Sequence, residues 1–143
     1  MTVALNTNVV GRIVSTKTAI VTGASSGIGE ATALRLNSLG YTVYAAARRI
    51  DKMAPLAAAG IRTVKLDVTD DASLIAFVDQ VVAESGPVDV LVNNAGYGSY
   101  GALEDVPLDE ARRQFEVNLF ALARLTQLVL PHMRSQRSGY IFN

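Results

Sequence analysis

The chain has 143 residues, half of them hydrophobic and 18% charged, enough for one domain with a substantial core. Thirteen Lys and Arg balance thirteen Asp and Glu, so there is no net positive field to draw nucleic acid or an anionic membrane. The absence of cysteine excludes disulfides and thiolate chemistry and permits a cytoplasmic location, and a lone His132 excludes a histidine-rich metal site.

Residues 1–15 carry no basic side chain before Arg12 and no sustained apolar run. They read as a loosely ordered lead-in rather than a secretory signal, and no apolar stretch of the sequence is long enough to span a bilayer. The folded domain is expected over residues 16–143. Thr18 to Val21 reads as a buried strand, and Glu30 to about Leu39 as a helix stopped by Gly40. Between them lies Thr22-Gly23-Ala24-Ser25-Ser26-Gly27-Ile28-Gly29. A glycine-rich turn leading from a strand into a helix is the setting of a dinucleotide fingerprint. Gly23 lets the chain turn off the strand, Gly27 leaves room for backbone to approach a pyrophosphate, and Gly29 allows close helix packing. The free N–H groups and positive dipole end of the helix then face the phosphates. A turn with no ligand role is the plainer alternative.

Tyr41 to Ala47 reads as a second strand closed by Arg48 and Arg49, Asp51 to Ala59 as a short helix, and Ile61 to Leu66 as a third strand. Asp67 to Asp70 forms a turn with capping residues. Ala72 to Ser85 follows as a helix, with Leu74, Phe77, Val78, Val81 and Val82 at helical spacing. Val88 to Val92 is nearly continuous in apolar residues, as a strand covered on both faces should be. A glycine-rich loop, Asn93 to Gly101, leads to a long helix from Pro107 to about Arg134, and Tyr140 to Phe142 begins a fifth strand. Alternating strands and helices imply parallel β-α-β units with right-handed crossovers. The fold class expected is therefore α/β, a Rossmann-like doubly wound sheet of order 3-2-1-4-5 with its ligand crevice between strands 1 and 4.

At the end of strand 2, where an NAD site carries an acidic residue, the chain has Ala47, Arg48 and Arg49. Guanidiniums there suit a phosphate and favour NADP over NAD. A solvated turn is the alternative, above all for Arg49. Asp67 is open to a role as a helix cap. His132 reads as a cation near a helix C-terminus.

The glycine spacing T-G-x-x-x-G-x-G, Asp67-Val68, Asn93-Asn94-Ala95-Gly96 and Asn118 occur in an order that resembles the short-chain dehydrogenase/reductase family, from residue 17 onward. The segment around Tyr97 and Tyr100 looks most like bacterial members related to hydroxysteroid and retinol dehydrogenases. The resemblance implies hydride transfer between a nicotinamide and a small carbonyl or alcohol substrate. It assigns Gly23, Ser25, Ser26, Gly27, Ile28, Gly29 and Arg48 to the cofactor's phosphates and ribose. It assigns Asp67 to the adenine amino group, Val68 to its ring, and Asn94, Ala95 and Gly96 to the strand end beside the cofactor. Asn118 is assigned to the active site, in a locally disturbed helix holding a water for proton relay; an asparagine bonded to local backbone is the alternative.

The family's reaction also uses a tyrosine with a lysine four residues later and a serine after strand 5. Tyr41, Tyr44, Tyr97 and Tyr100 are followed at that distance by Ala45, Arg48, Gly101 and Glu104, and Tyr140 stands three residues from the last. The expectation is the N-terminal half of a reductase, inactive as these residues alone, with a non-catalytic dinucleotide-binding module as the alternative. The complete protein is expected to be a homo-oligomer, a dimer or a tetramer.

Overall fold

The computed structural model describes residues 16–143, and the expected lead-in over residues 1–15 lies outside them. Strand β1 (Thr18–Thr22) leads through the glycine turn into helix α1 (Gly27–Ser38), followed by β2 (Thr42–Ala47). A 3-10 turn (Ile50–Met53) precedes α2 (Ala54–Ala58), then come β3 (Arg62–Lys65), α3 (Asp71–Ser85) and β4 (Val88–Val92). A second 3-10 turn (Leu103–Asp105) introduces α4 (Leu108–Phe115). A π-helical segment (Glu116–Ala121) joins α4 to α5 (Leu122–Gln136), and β5 (Tyr140–Phe142) closes the described chain. The five strands are parallel and ordered β3-β2-β1-β4-β5, as the alternation of elements predicts.

The core lies on both faces of the sheet, which is why β1 is buried at all five positions. Ala19 and Val21 face Ala33 of α1 and Leu56 of α2, together with Val43 and Ala45 of β2. Ile20 faces the other way, into a cluster with Leu74, Phe77 and Val81 of α3 and Leu125 and Val129 of α5. Tyr44 is wholly buried on that second face. Its hydroxyl is satisfied by Glu84 at 2.9 Å, Ser85 at 2.8 Å and the Arg62 guanidinium, which also lies 5.1 Å from the ring centroid.

Strand β4 breaks strict alternation. Val88 packs with the α3–α5 cluster, yet Val90 packs with the α1–α2 cluster. The cause is a bulge: Thr18 pairs with Val88 but Ala19 pairs with Val90, leaving Asp89 as the extra residue. The Asp89 carboxylate accepts the Thr18 N–H at 2.8 Å, satisfying a donor at the place where the ladder is interrupted.

Three expected helices differ in detail. Helix α1 begins at Gly27, inside the glycine turn, rather than at Glu30. The expected helix over residues 51–59 divides into a 3-10 turn and α2, because Pro55 in the first turn of α2 has no N–H to donate back to Asp51. The expected single helix from Pro107 is widened over Glu116–Ala121 into a π-segment that contains Asn118. Among the described residues no helix is long and apolar enough to cross a membrane.

Candidate dinucleotide-binding site

The carboxyl ends of β1 and β4 carry the two glycine-containing loops, and the structure stitches these loops together. Thr22 Oγ1 accepts the Asn94 N–H at 3.1 Å and the Ala95 N–H at 3.0 Å, and donates to the Val92 carbonyl at 3.4 Å. The Asn94 amide donates to the Thr22 and Gly23 carbonyls at 3.1 and 3.3 Å. The glycines make this approach possible. A Cβ on Gly23 would stand 2.8 Å from Ala95 Cα, and one on Gly29 would stand 2.5 Å from the Asn94 amide nitrogen and 2.6 Å from the Gly23 carbonyl oxygen. Gly29 thus packs α1 against the turn and Asn94 as much as against the strand. Gly27 is different: its φ of +61° is left-handed, and a Cβ there would meet nothing within 4 Å.

Both amides of the Asn-Asn pair are structural ties. Asn93 donates to Thr126 Oγ1 at 3.2 Å and to Asn143 Oδ1 at 2.9 Å, on the β5 side, while Asn94 serves β1.

Above these loops is a cavity of about 470 Å³, the size of a small-molecule site. Its floor is Gly23, Ser25 and Ser26 with Asn94, Ala95 and Gly96. One wall is Arg48, Arg49, Asp67 and Val68, and the other is Tyr97 and Val117. Nine of the twelve residues that the resemblance assigns to the cofactor therefore line one space. Gly27, Ile28 and Gly29 do not line it, and Ile28 is 79% exposed. Ala46, Ala47, Leu66 and Val117 line it without carrying any chemical signature in the sequence. The neighbouring chamber, about 650 Å³, shares Arg48, Asp67, Tyr97 and Val117 with the first and adds Glu110, Arg112, Arg113 and Glu116.

The wall is basic at one point and acidic at another. Among the described residues Arg48 has no ion pair, and Arg49 reaches back to Ser25 Oγ at 3.3 Å, so it is not simply pointing into water. Asp70 caps α3, accepting from Ala72 at 3.1 Å and Ser73 at 3.4 Å, so Asp67 is not needed as the helix cap. Asp67 Oδ1 instead closes a turn on Thr69, accepting from its N–H at 3.0 Å and its hydroxyl at 2.8 Å. The hydrogen bonds from the Thr69 backbone and side chain hold the Asp67 carboxyl below its usual range, so it is anionic at neutral pH.

Asn118 does not line the cavity, but its neighbour Val117 does. The Asn118 amide closes on the backbone of Tyr97: Oδ1 accepts the Tyr97 N–H at 3.1 Å and Nδ2 donates to the Tyr97 carbonyl at 2.8 Å. The side chain thus bonds backbone 21 residues away rather than the local backbone of its own helix. The Tyr97 hydroxyl is buried with no hydrogen-bond partner among the described residues. Burial, and then the nearby Glu110 carboxylate, push its pKa up. His132 lies in α5 and lines none of this space.

These residues fit a dinucleotide. Ser26 makes no side-chain cap to α1, in contrast to Asp70 at α3, so the N-terminal donors of α1 are left for a ligand.

Comparison with known proteins places the chain. The sequence profile described as short chain dehydrogenase matches residues 17–143. A probable short-chain type dehydrogenase/reductase of Helicobacter pylori is 42% identical over 125 residues, which cover 87% of this chain and 46% of that protein. A short-chain dehydrogenase from Streptomyces avermitilis superposes with a TM-score of 0.86 at 43% identity, over 89% of this chain and 48% of that one. A metagenomic short-chain oxidoreductase solved in complex with NADP superposes with a TM-score of 0.79 at 37% identity, over 87% of this chain and 60% of that one. The chain spans about half the length of the curated relatives it matches. With the sheet order, the two stitched loops and these likenesses in agreement, the chain belongs to the short-chain dehydrogenase family.

Proposed function

We propose that this chain forms the dinucleotide-holding half of an NADP(H)-dependent oxidoreductase acting on a carbonyl or alcohol substrate. The observation that carries the cofactor choice is the end of β2: Arg48 and Arg49 line the cavity where an NAD site would present a carboxylate. Arg48 and Arg49, with Ser25, hold the extra phosphate of NADP on the adenosine ribose. The glycine turn and the uncapped N-terminus of α1 take the pyrophosphate, with Ser26, Gly27, Ile28 and Gly29 shaping the approach. Asp67 accepts from the adenine amino group through the oxygen not engaged by Thr69, and Val68 packs on the ring. Asn94, Ala95 and Gly96 form the floor. Bound there, the nicotinamide supplies or receives the hydride.

Asn118 contributes to the proton path of the complete protein through its helix, where the π-segment rearranges the backbone carbonyls. Self-association of the complete protein belongs to the same reading and is supported by Phe115, Leu119 and Phe120, all exposed along the α4–α5 run. So does a cytoplasmic location. The likeness to a relative solved with NADP supports the cofactor class.

The test is a binding titration with NADPH and NADH. The unsubstituted chain is expected to prefer NADPH, and Arg48→Asp to reverse the preference by on the order of 1–3 kcal/mol. Equal affinity for both dinucleotides before and after the substitution would remove the basis for this reading.

A further inference from the structure

Three side chains on the α4 side of the cleft hold the loop that follows β4. Asn118 holds both backbone polar groups of Tyr97, at 3.1 and 2.8 Å. Gln114 Oε1 accepts the Ser99 N–H at 3.0 Å. Glu110 Oε1 accepts the Ser99 hydroxyl at 2.9 Å, while its Oε2 lies 3.6 Å from Arg113. Positions 110, 114 and 118 are four apart, so they stack along one face of the helix and its π-segment. The result is a polar ladder of three rungs opposite a segment of three residues. Its last rung is tight, since a Cβ on Gly96 would stand 3.2 Å from Asn118 Oδ1.

What the ladder fixes is the position of Tyr97. This residue is one of four shared by the two chambers, with Arg48, Asp67 and Val117, and so it stands at their junction. Its backbone is held by Asn118 and the residue two positions on is held by Gln114 and Glu110, yet its own buried hydroxyl has no hydrogen-bond partner among the described residues. A wall whose side chain makes no bond of its own depends on its backbone anchors for its place.

We propose that Gln114 and Glu110 are positioning residues for the dinucleotide cleft: through Ser99 they hold Tyr97 as the wall of the adenosine end. This rests on the reading of the cleft given above. Without the Ser99 rungs the segment pivots on Asn118 alone, the wall loosens, and binding must restore an order that the ladder otherwise provides in advance.

The experiment uses this chain with Gln114→Met, which keeps the side chain's length and removes the acceptor, and Gln114→Glu, which keeps an accepting oxygen. Hydrogen exchange at the Ser99 amide and NADPH affinity are measured together with the melting temperature. In the Met variant the Ser99 amide is expected to exchange at least about tenfold faster, and NADPH to bind about 3–10-fold more weakly, with little change in melting temperature. The Glu variant is expected to restore slow exchange. Ser99→Ala removes the Glu110 rung without altering the helix, and is expected to weaken NADPH by about 2–3-fold even if the Met variant fails to fold. Unchanged exchange at Ser99 in the Met variant would overturn the ladder. Faster exchange with unchanged NADPH affinity would overturn its positioning role. If the unsubstituted chain binds neither dinucleotide, the reading of the cleft itself fails, and the role assigned to the ladder falls with it.

Discussion

Gly27 and Gly29 sit two residues apart in one turn and answer different demands. At Gly29 the space for a Cβ is taken by the Gly23 carbonyl and the Asn94 amide, so Gly29→Ala must move backbone. We expect it to destabilise the fold by about 1–3 kcal/mol, read by chemical denaturation. At Gly27 the space is open, and the cost of a side chain there is the left-handed φ of +61°, of order 1–2 kcal/mol. Gly27→Val is therefore expected to remain folded while losing measurable dinucleotide affinity, because its side chain enters the space where the phosphates approach. Retention of affinity in that variant would reduce the turn to a structural role. The sequence named both glycines but could not separate these demands. Spacing shows that small residues are needed, whereas only the packed loops show what fills the space beside each one. Tyr97 illustrates the same limit. Its place in a glycine-rich loop was visible, but its position at the junction of two chambers depends on Gln114 and Glu110, which are far along the chain and unremarkable in composition.

At the level of single elements, α3 owes its start to Asp70 and its attachment to β2 and β3 partly to Glu84. Both carboxyls are held below their usual range, Asp70 chiefly by the Ser73 hydroxyl and Glu84 chiefly by the Gln80 amide and then the Tyr44 hydroxyl. With Asp67 lowered as well, the folded state binds fewer protons than the unfolded chain around pH 4. The stability these groups provide is present above their unfolded pKa, about 4, and is lost as the pH falls through the lowered folded values. We expect the melting temperature to be nearly level from pH 7 to 5 and to fall below about pH 4. Asp70→Ala should lower it by roughly 3–5 °C at pH 7, by loss of the cap, and that difference should narrow below about pH 3. Thermal melts followed by circular dichroism across this range check both. Element order was legible because apolar periodicity is strong and each strand is bounded by Gly, Pro or Asp. The bulge at Asp89 was not, since a strand apolar on both faces gives no alternation from which to notice a missed step. The extent of the π-segment was hidden for a related reason: one extra residue in a turn leaves the surrounding helical spacing almost unchanged.

Considered as a whole molecule, the sheet brings the two unusual loops side by side at the point where the strand order reverses, with the ends of β2 and β3 supplying one wall and Tyr97 with Val117 of the π-segment the other. Binding and turnover separate at this scale. Within these 143 residues no tyrosine is followed by a lysine at the fourth position, and a proton-transfer group contributes about 10²–10⁴-fold in rate. We therefore expect this chain alone to bind NADPH and to show no oxidation of it over a panel of ketones and aldehydes, followed by absorbance. A longer chain containing the serine and a Tyr-x-x-x-Lys sequence should oxidise NADPH with a suitable member of the panel. Robust turnover by the 143 residues would show that the proton donor lies among them, with Tyr97, Tyr100 and Tyr140 the first to replace.

The hydroxyl of Thr22 has one hydrogen and two lone pairs, and all three are spent: it donates once, to Val92, and accepts twice, from Asn94 and Ala95. The junction of the two loops is therefore saturated. It has no valence left to offer a water molecule or a ligand, and nothing that binds above it can compete for its bonds. Adjustment to a ligand is therefore left to the walls on either side of this junction, to Arg48, which has no ion pair among the described residues, and to the loop that holds Tyr97.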